Sequence, residues 1–291
     1  VSEPTPSSPR PSRAVVIRRR RVVAAGAAVL LGGAAVAVGA SLGGQTPSAP
    51  VADTTTTPTP SPTPTPTEER PVPEATGTPE PVSGIDLSAF SIDDATSPWV
   101  VVNKLRALNP QDYAPADLTY PDVSYVNEQP MRAATADALV QLVAAADAEA
   151  GLTLRVQSAY RSYDTQVSVY AGWVSSRGQA GADATSARPG HSEHQTGWAV
   201  DVTGASGACA LEVCWGDTAE GEWVLANSYR FGLIVRYRAD QTPVTGYESE
   251  PYHLRFVGVE LATHMHDQGI ETLEAVFGLP AAPDYAPGTT D

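Results

Sequence analysis

Apolar residues recur three and four positions apart at Leu139, Leu142, Val143 and Ala146. That is the period of one helix face, and it predicts a helix over Met131 to Ala150 with Gly151 as its stop. Leu152 to Val156 alternates apolar with polar residues and predicts a strand, which leads through Ser158-Ala-Tyr-Arg-Ser-Tyr163 into a second helix over Asp164 to Val174. Val167, Tyr170 and Val174 share one side of that helix, and Arg161 stands at its entry. Arg177 to Gly190, rich in Gly, Ala and Ser, reads as a loop. Further on, Trp198-Ala-Val-Asp-Val202 reads as a buried strand, Glu222 to Ser228 as a helix, Leu233 to Tyr237 as a strand and Gly258 to Gly278 as the closing helix. Strands and helices do not strictly alternate and no internal repeat is present, so the pattern predicts an α+β domain.

The periodicity starts only after a different kind of sequence. Residues 1–21 are polar and end in Arg18-Arg19-Arg20-Arg21, and residues 22–44 contain only Ala, Val, Leu, Gly and one Ser. An uncharged run of this length is enough to cross a roughly 30 Å hydrocarbon core as a helix. Arginines directly before it favour an N-terminus held in the cytoplasm and export of the chain beyond the run. A retained anchor is the preferred reading, with a cleaved signal peptide as the alternative, since Ala-Val-Gly-Ala-Ser41 offers small residues to a peptidase. Residues 45–83, dominated by Thr, Pro, Ser, Val and Glu, cannot bury enough apolar surface to offset chain entropy and read as an extended disordered spacer. The cored domain is expected over residues 84–284, with 285–291 as a flexible tail.

Charge narrows the range of partners. Six of the 18 Lys and Arg residues, against Glu3 alone, lie before residue 45, which leaves 12 basic and 32 acidic residues beyond it and a net charge of −20 there. Such a charge argues against nucleic-acid binding through the phosphate backbone. The two cysteines, Cys209 and Cys214, sit in a Gly- and Ala-rich loop of this exported part, where one disulfide is the simplest state and zinc ligation the weaker alternative.

The candidate chemistry is divided between two short segments. Ser192-Glu193-His194 is followed seven residues after the histidine by Asp201, and Glu250-Pro-Tyr-His253 lies about fifty residues further on. Two imidazoles and a carboxylate make three corners of a zinc tetrahedron, leaving the fourth for water and a glutamate to take its proton. On a regular strand Glu250 and His253 would face opposite sides. Pro251 removes a backbone donor and favours a turn or bulge that could bring both to one cavity. Amide hydrolysis also needs a partner for the oxyanion, and Arg161 is the candidate because its charge is permanent and its fork directional. Gln166 and Ser192 are candidates for binding a peptide carboxylate or amide. No HExxH motif occurs; His191 reads as a loop residue, and His264 and His266 as surface residues.

Three stretches, Ser158-Ala-Tyr-Arg-Ser-Tyr-Asp-Thr-Gln166, Pro189-Gly-His-Ser-Glu-His-Gln-Thr-Gly-Trp-Ala-Val-Asp-Val202 and Gly246-Tyr-Glu-Ser-Glu-Pro-Tyr-His-Leu-Arg255, resemble the signatures of the VanY-like D-alanyl-D-alanine carboxypeptidases. The resemblance covers roughly residues 98–280. It implies a small central antiparallel sheet with flanking helices, shared with lysostaphin-type peptidases and the hedgehog signalling domain. It also implies one zinc ion on His194, Asp201 and His253, Glu250 as base, Arg161 at the scissile carbonyl, and Gln166, Ser192 and Tyr160 around the substrate. Glu193 then becomes a bystander. Met131-Arg132 resembles the family's early helix, Tyr252 stands where Trp is frequent, and the Cys209–Cys214 loop looks like an insertion. The implied activity is removal of a terminal D-alanine from peptidoglycan stem peptides. An L,D-carboxypeptidase, an endopeptidase of the same chemistry, or a silent zinc- or wall-binding module are the alternatives.

Overall fold

The computed structural model describes residues 84–288. The expected apolar span at 22–44 and the spacer at 45–83 lie outside the described residues; within them, no helix is long and apolar enough to cross a membrane. In chain order the elements are β1 (Leu118–Thr119), β2 (Met131–Arg132), α1 (Ala133–Ala150), β3 (Leu154–Ser158), α2 (Tyr163–Thr185), β4 (Ala199–Gly204), α3 (Ala219–Asn227), β5 (Leu233–Tyr237), α4 (Thr242–Thr245), β6 (Glu250–Phe256), α5 (Val259–Gln268) and α6 (Leu273–Val276). The fold is α+β, built on an antiparallel sheet in the order β3-β4-β6-β5, with β1 and β2 forming a separate two-stranded pair.

Alternation along the central strands decides what each face of this sheet does. Val200 and Val202 of β4, Leu254 of β6, Leu233 and Val235 of β5 and Leu154 and Val156 of β3 point to one side, where Leu139, Leu142 and Ala146 of α1 cover them. Asp201, His253, Ile234 and Arg236 therefore project from the other side. Each fully buried Leu or Val contributes roughly 1.5–3 kcal/mol. A one-residue slip would put Asp201 into the apolar layer and Val200 and Val202 out of it, so the core fixes the register that builds the polar face. On that polar side a second apolar cluster forms from Trp99, Val101, Ile234, Val257, Leu261 and Met265. It is pinned where the Trp99 indole donates to the Val257 carbonyl at 2.8 Å.

Four expectations require correction. Met131 and Arg132 are extended, with Arg132 at ψ 149°, so the first helix starts at Ala133; Gly151 closes it in the left-handed region, at φ 66°. Residues 177–185 are helical rather than a loop: α2 continues to Thr185 across a break at Gly178, whose φ of 71° only glycine adopts without strain. The segment after the break is held because Asp183 accepts from the Tyr170 hydroxyl at 2.6 Å and pairs with Arg188 at 3.0 Å. The closing helix is interrupted at Gly269, leaving α5 and the one-turn α6 as separate pieces. Tyr285, expected to begin a flexible tail, is buried and its hydroxyl accepts from the Arg188 amide at 2.8 Å. Cys209 and Cys214 are joined in a disulfide.

Candidate metal centre and catalytic site

Antiparallel pairing of β4 with β6 sets Asp201 directly opposite His253. His194 arrives from the short 3-10 turn that precedes β4, Glu193–Thr196. One ligand atom from each of His194, Asp201 and His253 lies within 4.8 Å of the others, and all three residues are buried. His194 Nε2 is 3.3 Å from Asp201 Oδ2, and His253 Nδ1 is 3.0 Å from Asp201 Oδ1. The Ser158 hydroxyl also donates to Asp201. It reaches the site because a bulge between Val156 and Ser158 turns the end of β3.

Pro251 lies where the β5–β6 pairing is irregular. Val235 pairs with Leu254 and Tyr237 with Glu250, so β6 spends four residues where β5 spends two. The bulge cancels the period-two alternation, and Glu250 and His253 line the same cleft. Glu250 Oε2 stands 3.8 Å from His253 Nδ1. Burial raises the Glu250 pKa to about 7; repulsion from Asp201 and Glu193 adds to it, while His253 and Arg161 oppose it. A carboxyl near neutrality can take up and return a proton.

The outward nitrogens of both imidazoles are already committed. His194 Nδ1 is 2.7 Å from the Ala159 carbonyl, which makes it the donor and leaves a lone pair on Nε2. His253 Nε2 is 3.2 Å from Glu193 Oε2. Glu193 is wholly buried, and although burial opposes its charge, Arg255 and Arg236 hold its pKa far below the usual range. An ionised carboxylate only accepts, so His253 donates from Nε2 and turns the lone pair of Nδ1 inward. Burial works against charge on His253, yet its bonds to Asp201 and Glu193 raise its pKa to about 10. The cavity therefore calls for positive charge at its centre. Two inward lone pairs, a carboxylate and that demand together fit a divalent cation of the zinc type.

Glu193 thus corrects the bystander reading. Its Oε1 accepts from Arg236 Nε at 3.0 Å and Arg255 Nη1 at 2.7 Å, and Arg236 in turn makes two bonds to Glu274, at 3.0 and 2.8 Å. Two glutamates and two arginines balance, so the assembly imposes no net charge on the site. The available signal was the arginine within the apolar strand Leu-Ile-Val-Arg-Tyr237: a buried charge must find a counter-charge.

Arg161 and Ser192 line the cleft, whereas Gln166 and Tyr160 do not. Gln166 is fully buried and its amide is used up: Oε1 accepts from Arg161 Nη1 at 2.8 Å, while Nε2 donates to the Ala187 carbonyl at 2.6 Å and reaches the Ser186 hydroxyl at 3.2 Å. Its place is behind Arg161, which it orients. The Arg161 amide bonds the His194 carbonyl at 3.2 Å and so ties that side chain to the His194 turn. His191 faces away and contacts the Asn103 carbonyl at 2.8 Å, and His266 stacks on Tyr229 at the surface.

A family model described as VanY: D-alanyl-D-alanine carboxypeptidase matches residues 128–259. A putative carboxypeptidase, YodJ of Bacillus subtilis, is 41% identical over 182 residues, which are 61% of this chain and 66% of that protein, just under two thirds of its length. Among solved structures, the LdcB LD-carboxypeptidase is similar with a TM-score of 0.59 and 40% identity over 63% of this chain and 87% of that one. A mutant of the D,D-pentapeptidase VanY from a VanB-type resistance cassette, in complex with Zn(II), gives a TM-score of 0.51 and 30% identity over 61% of this chain and 97% of that one.

Proposed function

We propose, starting from a chain that belongs to the VanY D-alanyl-D-alanine carboxypeptidase family, that the protein is a zinc-dependent carboxypeptidase releasing the terminal D-alanine of peptidoglycan stem peptides. The observation that carries this reading is the position of the Glu250 carboxylate, 3.8 Å from His253 and so beside, but apart from, a buried group of three residues that could hold a metal ion. A purely structural metal site or a silent binding module has no chemical need of that residue.

His194 through Nε2, Asp201 through its carboxylate and His253 through Nδ1 would hold the ion. Zinc in such a set supplies Lewis acidity toward water and the scissile carbonyl. Glu250 accepts the proton of the attacking water as the oxygen bonds to the amide carbon, then delivers it to the departing amine as the C–N bond breaks. Arg161, steadied by Gln166, faces the carbonyl oxygen and stabilises the charge that develops there. Ser192 is assigned to the terminal carboxylate. The products are free D-alanine and a peptide shortened by one residue.

D,D cleavage of a pentapeptide is the first reading, supported by the family description and the VanY likeness. L,D cleavage of a tetrapeptide is the second, because the likeness to an LD-carboxypeptidase is the stronger of the two structural matches. Incubation with each peptide, with and without chelator, separates the two. Arg18–Arg21 ahead of the apolar run 22–44 supports export, with the domain held outside the membrane on the 45–83 spacer. Protease treatment of intact cells should remove the domain and leave the anchor.

A further inference from the structure

Two segments of the chain hold the acting side chains in the cleft. Residues 246–250 lead into β6 and carry Glu250, with Tyr247 and Glu248 also lining the cleft. Residues 184–188 close α2 and follow it, and their Ala187 carbonyl accepts from Gln166, which in turn accepts from Arg161. The placement of Arg161 thus depends on one segment and that of Glu250 on the other. A misplacement of about 1 Å between reacting groups can cost on the order of 100-fold in rate, so the seam between the two segments matters. One backbone bond crosses it, from the Glu248 amide to the Ala184 carbonyl at 3.1 Å.

Tyr285 makes a second crossing, and it lies beyond the stretch 128–259 matched by the family model. Its hydroxyl accepts from the Arg188 amide at 2.8 Å and stands 3.2 Å from the Tyr247 hydroxyl, so a single oxygen reaches both segments. Its ring lies under the Arg188 guanidinium, 4.1 Å away, and meets the ring of His191 edge-on at 5.1 Å, on the stretch that leads to His194. Lys104 backs the arrangement. Burying an ammonium is costly unless its protons find acceptors. Here Nζ donates to the Gly246 carbonyl at 2.6 Å and to the Pro283 carbonyl at 3.4 Å, with the faces of Tyr247 and Tyr285 beside the charge at 4.8 and 5.6 Å. Neither Tyr285 nor Lys104 lines the cleft, so any effect on the reaction passes through the groups they hold.

We propose that Tyr285, backed by Lys104, is a positioning residue: it clasps residues 246–250 to residues 184–188 and so fixes Glu250 against Arg161. This rests on the carboxypeptidase reading of the site.

The test compares the full-length, metal-loaded protein with Tyr285→Phe, which keeps the ring and removes only the hydroxyl. On pentapeptide and tetrapeptide stems kcat should fall about tenfold, with KM and zinc content unchanged, because Glu250 and Arg161 act on the transition state. The Glu248 amide, whose acceptor lies across the seam, should exchange with deuterium about fivefold faster. In a Gln166→Leu background the same substitution should cost less than about twofold, since the guanidinium is already released. Lys104→Met, which keeps the buried chain and removes the ammonium, should lower kcat in the same sense as Tyr285→Phe. An unchanged kcat in Tyr285→Phe overturns the proposal. So does a loss of zinc, or a tenfold fall repeated in full in the Gln166→Leu background, since either would give Tyr285 a role other than placing Arg161. A parent protein that binds zinc and turns over neither peptide sinks the carboxypeptidase reading instead; the exchange rate of the Glu248 amide then decides whether Tyr285 clasps the two segments.

Discussion

Glu193 Oε2 lies 3.2 Å from Nε2 of His253, on the far side of that imidazole from Asp201, whose Oδ1 lies 3.0 Å from Nδ1. One neighbour in the chain of His194 thereby sets the tautomer of a histidine 60 residues away. Outer partners of this kind orient ligands and raise their basicity, and losing one typically costs 10–100-fold in metal affinity.

Glu193→Gln should therefore weaken zinc binding about tenfold or more, as read by competition with a chromophoric chelator. It should also destabilise the fold by about 3 kcal/mol in denaturant titration, since Arg236 and Arg255 keep their burial and lose their shared counter-charge. Arg230→Ala, which breaks the exposed pair with Glu149, should change neither quantity measurably. Unaltered zinc affinity in Glu193→Gln would show that His253 does not depend on it.

Glu250→Gln is expected to lower kcat by a factor of about 10² to 10⁴ while zinc remains bound. A variant that turns over normally removes Glu250 from the proton transfer.

The pH profile is set by the same residue. Glu250 must be ionised to accept a proton, so the base is present above its pKa and lost as pH falls through it. Burial and neighbouring carboxylates raise that pKa to about 7, and His253 and Arg161 pull against them; a divalent cation nearby pulls the same way. The acid limb of kcat/KM should lie at or below pH 7, with a tenfold fall per unit below it. A limb on the alkaline side of 7 is incompatible with this assignment.

Gln166→Leu keeps the volume of a fully buried side chain and removes the acceptor that holds Arg161 at 2.8 Å. Activity should drop roughly 10- to 100-fold through misplacement of the guanidinium, with metal content unchanged. Loss of metal instead would place Gln166 in the support of the ion.

Much of this site is legible in the sequence because it obeys local rules. Val200 and Val202 flanking Asp201 mark a buried strand with one inward carboxylate, and Pro251 marks the irregularity that puts Glu250 and His253 on one side. Cys209 and Cys214 are close enough in sequence to suggest their bond. The features that local rules miss depend on distant partners or on a single torsion. Glu193 acquires its role from Arg236 and Arg255, 43 and 62 residues away, and Gln166 from the carbonyl of Ala187. Residues 179–185 read as a loop because their Gly and Ala content masks a helical turn stabilised by the Tyr170–Asp183 bond.

The central claim is tested most directly by digesting purified muropeptides with the full-length protein while its metal content is measured. The account predicts about one zinc per chain and release of free D-alanine from pentapeptide or tetrapeptide stems, abolished by chelator and restored by zinc. Zinc bound at that ratio with no D-alanine released, or release of a fragment larger than one alanine, would contradict it.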